Sequence, residues 1–215
     1  MNGIEYVLPA DIENRSFQII ASELDEKGIV LPADEKPVTM RVIHTTADFE
    51  YAETMRYSAG AVAAARSLLL EGADIVTDTN MAKAGINKKT LASYGGELHC
   101  FMADDDVAEE ARKRQVTRAC ISMERAAALN KKVIFAIGNA PTALISLYEM
   151  MEKSIYTPDF VIGVPVGFVN VVAAKELFLK SNVPYIINQG RKGGSGVAAA
   201  ICNALLYGLT RREGV

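Results

Sequence analysis

An α/β fold on a parallel sheet is predicted by three observations. Five short apolar or β-branched runs recur from Ala73 onward, helix-like stretches lie between them, and glycine-bearing turns follow the last three runs. The runs span residues 73–78, 97–102, 132–138, 159–164 and 183–188, and each reads as a buried strand. Strands alternating with helices make βαβ units, which put helices on both faces of the sheet. Five such strands fit a three-layer, doubly wound, flavodoxin-like parallel sheet, although their order is not readable from the sequence.

Residues 1–72 read differently, as a mainly helical part packed on an α/β core of residues 73–215, all within one domain. Residues 11–27 carry an amphipathic pattern, with Ile12, Ile19, Ile20 and Leu24 on one rough face and Gly28 as the stop. Ala33-Asp34-Glu35-Lys36-Pro37 reads as a helix start, because a proline in the first turn lacks only an N–H that has no helical partner. That start carries Val38 to Thr46 as helix, His44 included; a strand over residues 40–43 is the alternative. Residues 58–71 are rich in Ala and Leu, a strong helix that Gly72 ends.

Composition narrows the function. Half of the 215 residues are apolar, enough for a sizeable core. The net charge is −3 with no basic stripe, which argues against a nucleic-acid partner. Cys100, Cys120 and Cys202 stand far apart with no CxxC, so neither a disulfide framework nor a structural zinc site is expected. The start Met1-Asn2-Gly3-Ile4-Glu5 has no basic stretch leading into an apolar run, and no segment reaches the ~20 apolar residues that span a bilayer. A cytoplasmic protein without a membrane partner is the expectation.

The chemistry concentrates in turns. Gly138-Asn139-Ala140-Pro141-Thr142-Ala143-Leu144 follows the third strand, Gly163-Val164-Pro165-Val166-Gly167-Phe168-Val169 the fourth, and Gly190-Arg191-Lys192-Gly193-Gly194-Ser195-Gly196 the fifth. In an open parallel sheet these turns share the carboxyl edge, where ligands bind. Glycines admit close backbone approach, helix starts offer free N–H groups to anions, and Arg191 and Lys192 add positive charge. A large polyanionic ligand is predicted there. None of the turns fits a nucleotide fingerprint, since Lys192 precedes the glycine pair and no GxGxxG follows a strand.

His44 is one of two histidines, and an imidazole titrates near neutrality, as a proton donor must. On a helix, Arg41 and Asp48 would share its face and tune it. On this segment alone a structural histidine is the more common outcome, and His99, inside a strand, reads as structural. Thr77-Asp78-Thr79-Asn80 ends the first strand, and Asp78 serves there either as a ligand contact or as a helix N-cap. Asp104-Asp105-Asp106 reads as a solvated loop or cap, and no metal-ligand spacing is present.

Taken together, Ile12-Glu13-Asn14-Arg15-Ser16-Phe17, Arg41-Val42-Ile43-His44, Asp78-Thr79-Asn80-Met81, Thr117-Arg118, the GNAPTAL and PVGFV turns and Gly190-Arg191-Lys192-Gly193-Gly194-Ser195 resemble the precorrin-8X / cobalt-precorrin-8 methylmutase family, in family order from about residue 12 to residue 200. The resemblance implies a homodimeric isomerase with its site near the subunit interface. It implies transfer of a methyl group from C-11 to C-12 of a corrin precursor in cobalamin biosynthesis, a formal 1,5-sigmatropic shift that consumes no cofactor. Any cobalt belongs to the substrate. The family's histidine falls on His44, with protonation of the macrocycle as its implied role. Substrate contacts fall on Ser16 and Arg41, with Arg15, Asp78, Asn80, Arg118, Asn139, Arg191, Lys192, Gly193, Gly194 and Ser195 completing the candidate set. Positively charged groups and helix starts suit a polycarboxylate independently of the resemblance. A non-catalytic corrinoid or tetrapyrrole carrier on the same fold is the competing reading, distinguished by indifference to loss of His44.

Overall fold

The computed structural model describes residues 6–210. Residues 1–5, which bear on the leader expectation, and residues 211–215 lie outside the described part. The N-terminal elements are α1 (Ile12–Glu26), α2 (Lys36–Thr46), the single turn α3 (Tyr51–Thr54), β1 (Met55–Tyr57) and α4 (Ala61–Leu70). There follow β2 (Asp74–Thr77), α5 (Asn80–Gly85), α6 (Lys88–Ser93), β3 (Leu98–His99), α7 (Asp105–Arg114), α8 (Arg118–Ala127), β4 (Val133–Ile137), α9 (Pro141–Glu152), β5 (Phe160–Gly163), α10 (Val171–Leu179), β6 (Tyr185–Asn188) and α11 (Ser195–Thr210).

Among the described residues the strands form one six-stranded sheet in the order β1-β6-β5-β4-β2-β3. β2 to β6 pair in parallel, and β1 lies antiparallel on β6. Counted alone, the parallel strands run 2-1-3-4-5, the flavodoxin-like order. All five expected strands are present and β1 is an addition. The third-position switch falls between β2 and β4, where the chain first turns back across the sheet.

Strand residues alternate between two cores, as a period of two requires. Ile134 and Ala136 of β4 face the cluster that holds residues of α1, α2, α4 and α11, while Val133, Phe135 and Ile137 face residues of α8, α9 and α10. Both faces are therefore covered, which explains why β4 is apolar at every position.

Four expectations need correction. On α1, Ile20 and Leu24 are buried but Ile12 and Ile19 are exposed, so its packed stripe is narrower than the apolar pattern suggested. The expected strand 97–102 pairs only at Leu98–His99, because at the sheet edge it has β2 alone as a neighbour. The helix expected from residue 58 starts at Ala61, after Gly60 turns left-handed at φ 67°. The helix over His44 is present, with Pro37 in its first turn, which settles the choice against a strand there. It ends because Ala47 adopts φ 53°. Asp48 thus leaves the helix and does not share the face of His44.

Candidate active site

The four turns at the carboxyl edge are packed into one surface. Asp78, at the end of β2, is buried, and its two carboxylate oxygens accept N–H groups from Gly138, Asn139 and Ala140 at 2.5–2.8 Å. Burial raises its pKa while these three donors oppose the rise. Its position bridges β2 and β4, at the switch point where a ligand crevice would open. The Asp78 carboxylate holds the turn after β4 from that position. The N-cap of α5 is Thr79, whose hydroxyl accepts the Ala82 N–H at 3.0 Å.

The Gly138 turn and the Gly190–Ser195 turn touch. A Cβ on Gly138 would lie 2.8 Å from Ser195 Cα and 2.9 Å from the Gly194 carbonyl oxygen, so only glycine allows this approach. Thr79 and Ser195 share a hydroxyl hydrogen bond of 2.7 Å. The Gly194 N–H donates to Val164 O at 2.9 Å and the Gly167 N–H to Arg191 O at 3.2 Å, which joins the turns after β5 and β6. A Cβ on Gly193 would meet Val164 O at 2.1 Å. Thr117 caps α8, and its hydroxyl donates to Thr142 at 3.0 Å, which brings exposed Arg118 beside the start of α9.

What this surface presents is mixed. Asn80, Asn139 and Arg191 are exposed, and the Arg191 guanidinium lies 5.4 Å over the ring of Phe168. Phe168, Val169 and Met81 are 82%, 78% and 74% exposed, and Val166 is exposed beside them. These turns thus offer apolar area together with the exposed cations Arg118 and Arg191. No sequence signal marked the apolar part, because an exposed Phe and a core Phe look alike in a pattern.

Lys192, expected as an anion ligand, is already paired: its ammonium donates to Asp48 at 2.6 Å and Glu50 at 2.8 Å. These hydrogen bonds hold the Lys192 pKa up and the Asp48 pKa down. Lys192 is therefore a tie between the turn after β6 and the segment after α2. A residue that the sequence reading missed, Lys175 of α10, lies beneath the same turn, 1% exposed, with Nζ donating to the carbonyls of Gly190 and Lys192 at 2.8 Å each. Its spacing from Val171 and Phe178 places it on the buried face of α10, the one signal that pointed to it.

His44 occupies the last turn of α2 and is exposed. Its ring stacks on Phe17 at 5.3 Å between centroids. Arg41, one turn earlier, lies 4.8 Å over the other partner of this stack, Phe17, and 5.3 Å over Tyr207, and it pairs with Glu13. Thr45 faces Gly196, where a Cβ would come within 4.0 Å of its methyl carbon. The end of α2 therefore meets the start of α11, and His44 and the turn after β6 belong to neighbouring chain segments. Ser16 donates to Ile12 O at 2.9 Å, and Arg15 lines a cavity of about 420 Å³ with Tyr6, Leu8, Asp11 and Asn14. His99 hydrogen-bonds buried Asp74 at 3.0 Å, in keeping with its structural reading. Among the described residues no group of His, Cys, Asp and Glu is placed to hold a metal ion, and no helix is long and apolar enough to cross a membrane.

A family model for precorrin-8X methylmutase matches residues 11–208. The cobalt-precorrin-8 methylmutase of Salmonella typhimurium is 42% identical over 206 residues, covering 94% of this chain and 96% of the relative. That of Priestia megaterium is 41% identical over 199 residues, covering 93% and 88%. The crystal structure of precorrin-8x methyl mutase from Thermus thermophilus superposes with a TM-score of 0.82 at 37% identity, over 92% of this chain and 96% of that one. Sequence, fold and the ordered run of motifs agree, and the chain belongs to the precorrin-8X methylmutase family.

Proposed function

We propose that this protein moves a methyl group from C-11 to C-12 of a corrin precursor, an isomerisation in cobalamin biosynthesis. One observation carries the reading: an exposed imidazole, His44, is held by its stack on Phe17 at the helix end that meets the glycine-turn surface. His44 donates a proton to the macrocycle; the bond from methyl to C-11 breaks as the bond to C-12 forms; a proton then returns, so that product and substrate are isomers. The apolar faces of the ring lie on Phe168 and its neighbours, and peripheral carboxylates meet Arg191 and the helix starts. The protein supplies position and one proton donor, and the isomerisation consumes no cofactor.

Relatives at 41% and 42% identity carry the cobalt-precorrin-8 name, and one at 36% the precorrin-8X name. This supports cobalt-precorrin-8 as substrate and cobyrinate as product over the cobalt-free pair, precorrin-8X and hydrogenobyrinate. The cobalt then enters as part of the substrate. His44, Arg191 and Phe168 are exposed in a single chain, which supports a homodimer whose second copy covers the macrocycle. The reaction is assigned to the cytoplasm.

The test is incubation with cobalt-precorrin-8 and, separately, precorrin-8X, following absorption and product mass. A spectral change at constant mass, lost in His44→Ala, is expected. The variant should still bind pigment to within about 1–2 kcal/mol, because one proton donor contributes little to ground-state binding. Bound pigment without conversion of either compound marks a carrier instead.

A further inference from the structure

The burial of Lys175 has no electrostatic reason on its own side of the fold. No carboxylate of a described residue pairs with it, and its partners are two backbone carbonyls, Gly190 O and Lys192 O. An ammonium buried without an anion is unfavourable, and burial alone lowers its pKa to about 8. An apolar side chain would serve packing better, as it does at Val171, Ala174 and Phe178 of the same helix.

The consequence lies in the peptide planes. In a trans peptide the C=O and the following N–H point in opposite directions. With Gly190 O and Lys192 O both turned inward onto Lys175, the N–H groups of Arg191 and Gly193 point away from it. Neither N–H donates to another described residue. Lys192 O also accepts from the buried Asn188 amide at 3.0 Å, so this plane is fixed from two directions. Positive φ at Gly190, Gly193 and Gly194 makes the turn accessible to glycine, and a side chain at Gly193 would strike Val164 O.

We propose that Lys175 is a positioning residue that holds the turn after β6 so that the Arg191 and Gly193 N–H groups together receive one carboxylate of the ligand. Two outward N–H groups, two residues apart and next to the Arg191 guanidinium, match the two oxygens of a carboxylate. Lys175 does not touch the ligand; it acts through the carbonyls. The proposal rests on the reading of this edge as the corrinoid site and names the group of the ligand that the turn recognises.

The probes are cobyrinic acid and cobinamide, whose peripheral carboxylates are amides. Affinities of both are measured by absorption titration for the full-length protein and for Lys175→Met and Lys175→Arg, with thermal unfolding as a check on folding. The wild type should prefer the acid. Lys175→Met should lose about tenfold or more of its acid affinity while its cobinamide affinity stays the same, raising KM with little change in kcat. Lys175→Arg, which keeps a cation with several donors, should recover part of the loss. An unchanged ratio of acid to amide affinity in Lys175→Met overturns the proposal, since a purely structural lysine would weaken both ligands alike. A second measurement needs no variant: on adding cobyrinic acid to the wild type, the amide resonances of Arg191 and Gly193 should shift. Binding that leaves both unmoved overturns the assignment of the turn and leaves the methylmutase reading standing, whereas a wild type that binds neither probe overturns both.

Discussion

The Lys192 ammonium reaches Asp48 at 2.6 Å across 144 positions of the chain, and Glu50 at 2.8 Å. The turn after β6 is thereby fastened to the segment that leaves the helix of His44. If the pair is a tie, Lys192→Met and the double variant Asp48→Asn/Glu50→Gln should lower kcat/KM by similar factors, and the triple variant should add little. The contrast is with a direct ligand contact, for which Lys192→Met alone would raise KM and the carboxylate variants would lower it. Steady-state kinetics on the four proteins separates the two. Because the groups are exposed, the effect of the tie should fade with added salt.

Asp78 holds three backbone donors at the centre of the carboxyl edge. In Asp78→Asn one oxygen becomes an amide nitrogen that faces an N–H instead of accepting it. The expected loss is about 3 kcal/mol of stability, which at this chain length lowers Tm by roughly 6–12 °C. Calorimetry on the variant checks it, and a shift of a degree or two would return Asp78 to the surface chemistry of the site.

Lys175 links stability to pH. Its folded pKa, about 8, lies below the ordinary 10.5, so between these values the folded protein binds fewer protons at this position than the unfolded chain. Stability contributed by this group therefore rises with pH through that window, and below pH 8 the full penalty of burying the charge is present. Urea unfolding of the wild type and Lys175→Met at pH 7.5 and 9.5 should show the wild type gaining on the variant at the higher pH. A constant difference would mean that Lys175 titrates alike in both states.

Phe17 meets both His44 and Arg41 through its ring. Phe17→Leu keeps an apolar side chain there but removes the stack. The imidazole should then sample more orientations, and kcat should fall by about tenfold or more with KM little changed, as for any misplaced proton donor. Equal kcat would show that the ring orients nothing.

The strands were legible where burial on both faces leaves a continuous apolar run, as in Val133–Ile137. β1 was not, because three residues with an exposed Arg56 in the middle carry no pattern, and its partner, β6, lies more than a hundred residues away. The turns were legible through their glycines, and the helix of His44 through Pro37. The jobs of individual charges were not. Asp78, Lys175 and Lys192 are all polar residues near one edge in sequence terms; their roles follow from long-range partners such as Gly138, Gly190 and Asp48, which no local pattern specifies. Asp48 was misplaced for a local reason: an alanine at φ 53° ends α2, and no glycine announced the stop.

The two ends of the sheet are its shortest strands, β1 with three residues and β3 with two. An open edge of that length exposes few unpaired N–H and C=O groups, too few to template another chain. Two copies of this protein gain almost nothing by joining sheets into one continuous ribbon, so the architecture steers self-association away from fibre-like strand addition and toward contacts made by helices and turns.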